Sequence, residues 1–323
     1  MKVLAVDDDE FIADLLPLLL SNCGDHDVSF SMSAEEALAT IANEDDRFDC
    51  LFLDIQMPGM SGIELCGKIR ALPGYRTTPI FMLTAMNDKS YIDQAFAAGA
   101  TDYVTKPFDV MAIGEKILTA ETLIAEQKEN WNRQFSEPAD AADGSTETKV
   151  EFSDANSLEM IDGAVEYDVL SNYLNQLSKS RLYNSTIFAV KIDQAEIIHT
   201  QGSSSEFLRL VKEVGCAISE TLMSRGFFLM SYVGKGVFVC IFQNSGRESH
   251  ELLEQKAQQL IQSKQLSYDN GTPAVVSVSM GDPLKPHLSF SKSPDRIFQL
   301  AITRVAGKSM QTMPYENKHR WVS

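Results

Sequence analysis

The chain is poor in the features that mark secreted, membrane-spanning or duplex-binding proteins. Its five cysteines, Cys23, Cys50, Cys66, Cys216 and Cys240, are odd in number and widely spaced, with no CxxC pair. That pattern argues against a disulfide framework and for reduced thiols held in cores. No apolar run approaches the ~20 residues of a membrane span. Asp7, Asp8, Asp9 and Glu10 interrupt the N-terminus where a secretory peptide would be apolar, so a cytoplasmic location is expected. Basic charge is also scarce: the net charge is −17, and residues 1–120 hold 8 Lys/Arg against 20 Asp/Glu. Residues 121–160 hold 3 against 10, and the remainder holds 17 against 15. Phosphate contacts need clustered Lys and Arg, and with no helix-turn-helix pattern in view a DNA-binding output is disfavoured. The five histidines lack metal-ligand spacing and no Ser/His/Asp arrangement stands out, which leaves zinc-site and hydrolase chemistry without support.

What the chain does have is length and rhythm. Its 323 residues, 44% of them hydrophobic, suffice for two ordinary cores. Residues 2–120 alternate short apolar runs with helical patterns, which predicts a doubly wound α/β domain with a five-stranded parallel sheet. The predicted strands are Val3–Val6, Val28–Met32, Cys50–Ile55, Pro79–Leu83 and Tyr103–Thr105. Ser33-Ala34-Glu35-Glu36 has the spacing of a capping box and predicts a helix over 34–42. The fifth helical pattern runs on to about Trp131. The stretch 136–148, rich in Ala, Asp, Glu, Ser and Thr, reads as a flexible acidic linker.

The second half reads as α+β. Expected there are a helix from Val165 to about Ser178, a strand Thr186–Ile192 and a helix Ser205–Met223. Two strands around Gly234-Lys235-Gly236 follow, then a helix Leu252–Ser263, a strand Ala274–Met280 and a helix Pro294–Met310. The expected division is 1–122, a helical extension with linker over 123–154, and 155–323.

In an open parallel sheet, ligands bind outside the carboxyl ends of the strands. Asp7, Asp8 and Asp9 follow the first strand, Asp54 ends the third, Thr84 ends the fourth, and Lys106-Pro107 follows the fifth. Carboxylates gathered in this way repel one another unless a hard divalent cation such as Mg²⁺ holds them. Each piece alone is ordinary, an acidic turn or the start of a loop, but their order along successive strands is specific. Over about the first 120 residues they resemble the receiver domain of two-component response regulators. The resemblance makes Asp54 the phosphoacceptor and Asp7 and Asp8 the acidic Mg²⁺ pair, with a backbone carbonyl from Gln56. Thr84 and Lys106 would contact the acyl phosphate, and Pro107 would follow a cis peptide bond. Thr84 and Tyr103 would act as the switch, although ordinary strand packing also accounts for a tyrosine there. Met57-Pro58-Gly59-Met60-Ser61-Gly62 fits the family's loop after the acceptor, while Asp9 is a carboxylate beyond the pair with no role assigned. The implied partners are a sensor histidine kinase or phosphotransfer protein, an unidentified downstream protein and a second copy of the chain.

Residues 155–323 resemble a degenerate GGDEF domain, the diguanylate cyclase fold. The resemblance is carried by Ile187–Asp193 ahead of a long helix, the glycine turn at 234–236, the strand Val-Ser-Val-Ser-Met-Gly ending at Gly281 and the helix Ala301–Lys308. Aligned on Phe238, the acidic pair of the active motif becomes Gly236 and Val237. The family's Asp-x-Asp falls on Lys191-Ile192-Asp193, and its guanine-contacting Asn on His199. The inhibitory Arg-x-x-Asp becomes Arg225-Gly226-Phe227-Phe228, and the upstream signature is reduced to Leu158–Ala164. The expectation is a non-catalytic output working through protein interaction; the alternative is a cyclase-type domain that still senses or turns over GTP or cyclic di-GMP.

Overall fold

The structure, a computed structural model, describes residues 1–43, 47–85, 89–108, 110–135, 161–177, 179–244, 249–286 and 293–312. The chain forms two compact units, Met1–Thr146 and Glu147–Ser323. The expected linker over 136–148 lies outside the described residues. Among the described residues no helix is long and apolar enough to cross a membrane.

The first unit alternates strand and helix five times: β1 Lys2–Val6, α1 Glu10–Asn22, β2 Asp27–Ser31, α2 Ala34–Asn43, β3 Cys50–Asp54, α3 Gly62–Arg70, β4 Ile80–Thr84, α4 Lys89–Ala97, β5 Asp102–Thr105 and α5 Val110–Phe135. The strands are all parallel, in the order β2-β1-β3-β4-β5. The three central strands are almost wholly buried, which is why they read as continuous apolar runs rather than as alternation. Their alternate residues feed two cores. Leu4, Val6, Leu51, Leu53 and Met82 pack with α2, α3 and α4 residues such as Ala37, Leu65 and Ala95. Val3, Ala5, Phe52, Phe81 and Leu83 pack with Ile12 and Leu16 of α1 and Ile113 and Ile117 of α5.

The capping box at Ser33 is only half formed. Glu36 N–H donates to Ser33 Oγ at 3.1 Å, but the Glu36 carboxylate accepts from Met32 N–H at 2.6 Å instead of closing on Ser33. The reciprocal box occurs at Ser61 with Glu64, at the start of α3.

The second unit runs α6 Tyr167–Gln176, α7 Lys179–Asn184, β6 Ser185–Ile192, α8 Ala195–Gln201, α9 Ser204–Met223, β7 Gly226–Tyr232, β8 Val237–Asn244, α10 His250–Ser263, β9 Val278–Met280 and α11 Pro294–Thr312. Neither short helix, α7 nor α8, stands out in the sequence; one turn or two give too few repeats for a period. The sheet order is β7-β8-β6-β9 with every adjacent pair antiparallel. β6 and β7 therefore run parallel with β8 between them, the split β-α-β arrangement. Its main core packs Phe188, Val190, Phe238 and Cys240 against Leu210, Val214 and Ile218 of α9 and Leu253 and Ala257 of α10.

The strand expected over Ala274–Met280 is shorter than its composition suggests. Ser277 C=O accepts from Asp193 N–H in continuation of the β6 register, but β6 ends at Ile192 and Val276 C=O accepts from the Gln258 side chain. The strand paired with β6 is therefore only Val278–Met280. The outer edge of β9 is occupied by α10, with Val278 N–H donating to Gln258 Oε1 and Met280 N–H to Glu254 Oε2. Side chains thus cover an edge that would otherwise be open to strand pairing.

Candidate functional site

The strand order of the first unit reverses direction between β1 and β3, so a crevice opens at their carboxyl ends. Asp7 follows β1 and is fully buried, and Asp54 closes β3 and is nearly so. Asp8 stands exposed at the rim. The carboxylates of Asp7, Asp8 and Asp54 each offer an oxygen within 4.8 Å of the others.

Lys106 reaches this cluster from the loop after β5. Its Nζ lies 2.5 Å from Asp7 Oδ2 and 2.7 Å from Asp54 Oδ1. Its own N–H donates to Thr84 C=O at 2.7 Å, and the Lys106-Pro107 peptide is cis, as the resemblance implies. The second oxygen of each buried carboxylate takes a backbone donor. Asp9 N–H reaches Asp7 Oδ1 at 3.1 Å, and Gln56 N–H reaches Asp54 Oδ2 at 2.9 Å. Burial pushes the Asp54 carboxyl up to about 6, against the opposing pull of Lys106 and with a smaller push from Asp7. For Lys106, burial disfavours the charge, but the hydrogen bonds and charges of Asp54 and Asp7 outweigh it and raise the ammonium above its ordinary value.

The loop after Asp54 explains its own composition. Gly62 N–H returns to Ile55 C=O at 3.1 Å, and a Cβ at Gly62 would lie 1.9 Å from Asp54 O, so only glycine allows the approach. Gly59 takes φ +79° in the same turn. Thr84 is buried at the end of β4. Tyr103 lies half-buried on β5, opposite Met82 and packed against the core that α2, α3 and α4 cover; burial raises its phenol above the ordinary value. Sequence reasoning left Asp9 without a role. Its carboxylate caps α1, accepting from Phe11 N–H at 2.8 Å, and an Asp directly before an apolar helical run was the available signal.

Three carboxylates facing one ammonium leave two negative charges uncompensated, and the donors are all hard oxygens. That set fits Mg²⁺, which takes carboxylates and keeps several waters.

In the second unit, the expected metal positions look different. Lys191 sits half-buried in β6, in register with Val237 and Ser279. Gly236 has φ +72°, and a Cβ there would lie 2.6 Å from Ala195 Cβ, so the turn is closed against a carboxylate side chain. Gly236 N–H donates to Tyr232 Oη and Val237 N–H to Gly234 C=O. Asp193 is buried and accepts from Ser277 at 3.1 Å, Ser279 at 2.9 Å and Ser309 at 2.5 Å. His199 packs edge-on to Phe207, and Phe228 is buried beside Gly163.

Residues 3–118 match the family model of the response regulator receiver domain. The transcriptional regulatory protein YvrH of Bacillus subtilis is 37% identical over 116 residues, 36% of this chain and 47% of that protein. The match thus spans about half the length of that relative. Among solved structures, chemotaxis response regulator CheY4 of Vibrio cholerae is 33% identical, covering 37% of this chain and 97% of its own, with TM-score 0.34. A CheY-like receiver domain protein of Methanospirillum hungatei is also 33% identical, covering 40% and 97%, with TM-score 0.35. The N-terminal unit is a response regulator receiver domain of the two-component type.

Proposed function

We propose that this chain is a phosphorylation-controlled response regulator that accepts a phosphoryl group on Asp54 and signals through a non-catalytic output unit. The observation that carries the first half is Lys106 bridging Asp7 and Asp54 at the mouth of the crevice. A phosphohistidine on a partner kinase or phosphotransfer protein is the donor. An Asp54 carboxylate oxygen forms the new P–O bond as the donor's P–N bond breaks, and the leaving imidazole keeps the electron pair. Asp7, Asp8, Asp54 and the Gln56 carbonyl would hold Mg²⁺, which would supply neutralisation of the transferring oxygens. Lys106 offers the ammonium that meets the phosphoryl group, and Thr84 and Tyr103 relay its presence.

The reading of the output as a degenerate GGDEF-like unit is supported by its split β-α-β sheet and by what occupies the metal positions. Lys191 brings a positive charge, Gly236 has no room for an acid, and Asp193 is already engaged by three serines. Such a unit acts by binding another protein rather than by turnover.

The test is intact-mass measurement after incubation with Mg²⁺ and a small acyl-phosphate donor. One phosphoryl adduct is expected on the native chain and none on Asp54→Asn. Undiminished labelling of that variant would sink the assignment.

A further inference from the structure

We propose that His250 is an acid-sensitive latch of the second unit: as a neutral imidazole it fastens the start of α10 to the end of β9 and so to α11, and protonation opens that corner. The latch is separate from the crevice around Asp54 and does not depend on how the unit signals. His250 is the first residue of α10, directly after the N-cap Ser249, whose hydroxyl accepts from Leu252 N–H. Its ring stands nearly perpendicular to that of Phe188 in β6, with centroids 4.6 Å apart, and Phe188 is wholly buried. The imidazole also hydrogen-bonds the backbone of Gly281. Gly281 N–H is already given to Ala189 C=O at 2.8 Å, so the ring donates and the Gly281 carbonyl accepts. A Cβ at Gly281 would lie 3.0 Å from Val305 N of α11. The residue that His250 holds is thus itself pressed against the last helix.

The other ring nitrogen is the source of the sensitivity. His250 Nε2 is buried and has no hydrogen-bond partner among the described residues. With the ring proton on Nδ1, Nε2 carries only a lone pair. A second proton there would be a buried donor on a cation with nothing to accept it. Charged groups reach the ring from three places: Glu254 one turn along α10, Asp282 after β9, and Lys308 from α11, while β6 offers only Phe188. Glu254 and Lys308 are engaged with each other at 2.5 Å, and both also bond the Met280 backbone. Asp282 is exposed, so its attraction is screened. The N-terminus of α10 disfavours a cation as well. Burial, helped by Lys308, therefore holds the imidazolium below its ordinary 6.5 against the pull of Gly281, Glu254 and Asp282. A ring released into water regains that value, so the open corner binds the proton more tightly than the closed one. The closed corner is fully favoured above about 6.5 and weakens as pH falls below it.

The experiment uses the full chain and reads two quantities. The first is the NMR titration of the His250 imidazole, identified by the signal that His250→Gln removes; its midpoint should lie below 6.5. The second is amide hydrogen exchange over 249–256 and 279–284 from about pH 7.5 to about pH 5, corrected for the intrinsic rate. In the native chain the opening constant should rise by up to about tenfold per pH unit below 6.5, the limit for one proton. In His250→Gln and in His250→Phe, which keeps a ring beside Phe188 but takes no proton, that rise should be absent. Asp54 titrates in the same range but lies in the other unit, which is why local exchange is read and not the melting of the whole chain. A midpoint at or above 6.5, or an equal rise in exchange in both variants, would overturn the latch. Where a variant does not fold, the native chain still decides: a low midpoint with no rise in exchange at either segment would show that the proton is taken up without opening, and the latch would fall.

Discussion

Ser309 Oγ donates a 2.5 Å hydrogen bond to Asp193 Oδ1 across 116 residues of sequence. Ser279 shares that oxygen, and Ser277 takes the other. A carboxylate at the end of β6 therefore ties together the approach to β9, β9 itself and α11.

Asp193→Ala should cost the second unit about 3 kcal/mol, because the buried hydroxyls of Ser279 and Ser309 and the half-buried one of Ser277 lose a charged acceptor. Asp193→Asn should cost less. Denaturant unfolding of the full chain, followed by a probe in the second unit, measures both. A loss within the noise of a surface substitution would mean that the serines find other partners and that Asp193 is not a tie.

The same unit should not convert GTP to cyclic di-GMP, whether or not Asp54 is phosphorylated. Lys191 stands where the resemblance expects a principal metal ligand, and two unit charges ~4 Å apart repel by about 4 kcal/mol at an effective dielectric of ~20. That corresponds to a metal affinity loss of roughly a thousandfold. Chromatography of reactions with GTP and either Mg²⁺ or Mn²⁺ is the check, and product above a no-enzyme blank would contradict the prediction.

The raised Asp54 carboxyl predicts a pH-dependent stability in metal-free buffer. Its folded value of about 6 lies above the ordinary 3.8, so the folded chain binds the proton more tightly than the unfolded chain. The contribution is fully present below about 4 and is lost as pH rises through about 6. Asp54→Asn lacks this titration, so its melting temperature should gain on the native chain across that window. A constant offset from pH 4 to pH 7 would show that burial of Asp54 is not felt as proton affinity.

Thr84→Ala should separate phosphorylation from response. Thr84 is buried at the end of β4, its carbonyl holds the Lys106 N–H, and Tyr103 lies on the adjoining strand. Acyl-phosphate labelling of the variant should proceed, while the phosphate-induced change in hydrogen exchange over 102–117 should shrink. An unchanged exchange response would remove Thr84 from the relay.

Much of the receiver was legible because its determinants are local. Parallel strands buried on both faces show as apolar runs, and a sheet of fixed handedness delivers their carboxyl ends to one edge. Asp7, Asp8, Asp54, Thr84 and Lys106 could therefore be gathered from their places after successive strands. The limits were equally physical. The carboxylate of Glu36 found Met32 N–H rather than its expected partner, and α7 and α8 are too short to show a period. The strand expected from Ala274 starts late because its partner β6 ends at Ile192 and the Val276 carbonyl is taken by Gln258, both set by segments distant in sequence.

The sequence by itself determined the five-unit αβ alternation, the placing of Asp54 and its acidic neighbours after successive strands, and the want of acidic side chains at Lys191, Gly236 and Val237, because residue identity and spacing carry those. Only the tertiary structure decided that Lys106 holds the inner oxygens of Asp7 and Asp54, that Gly236 abuts Ala195, and that Asp193 is taken up by serines from two other elements. Those are contacts between distant segments, set by how two cores close, and no local pattern of residues encodes which oxygen meets which hydrogen.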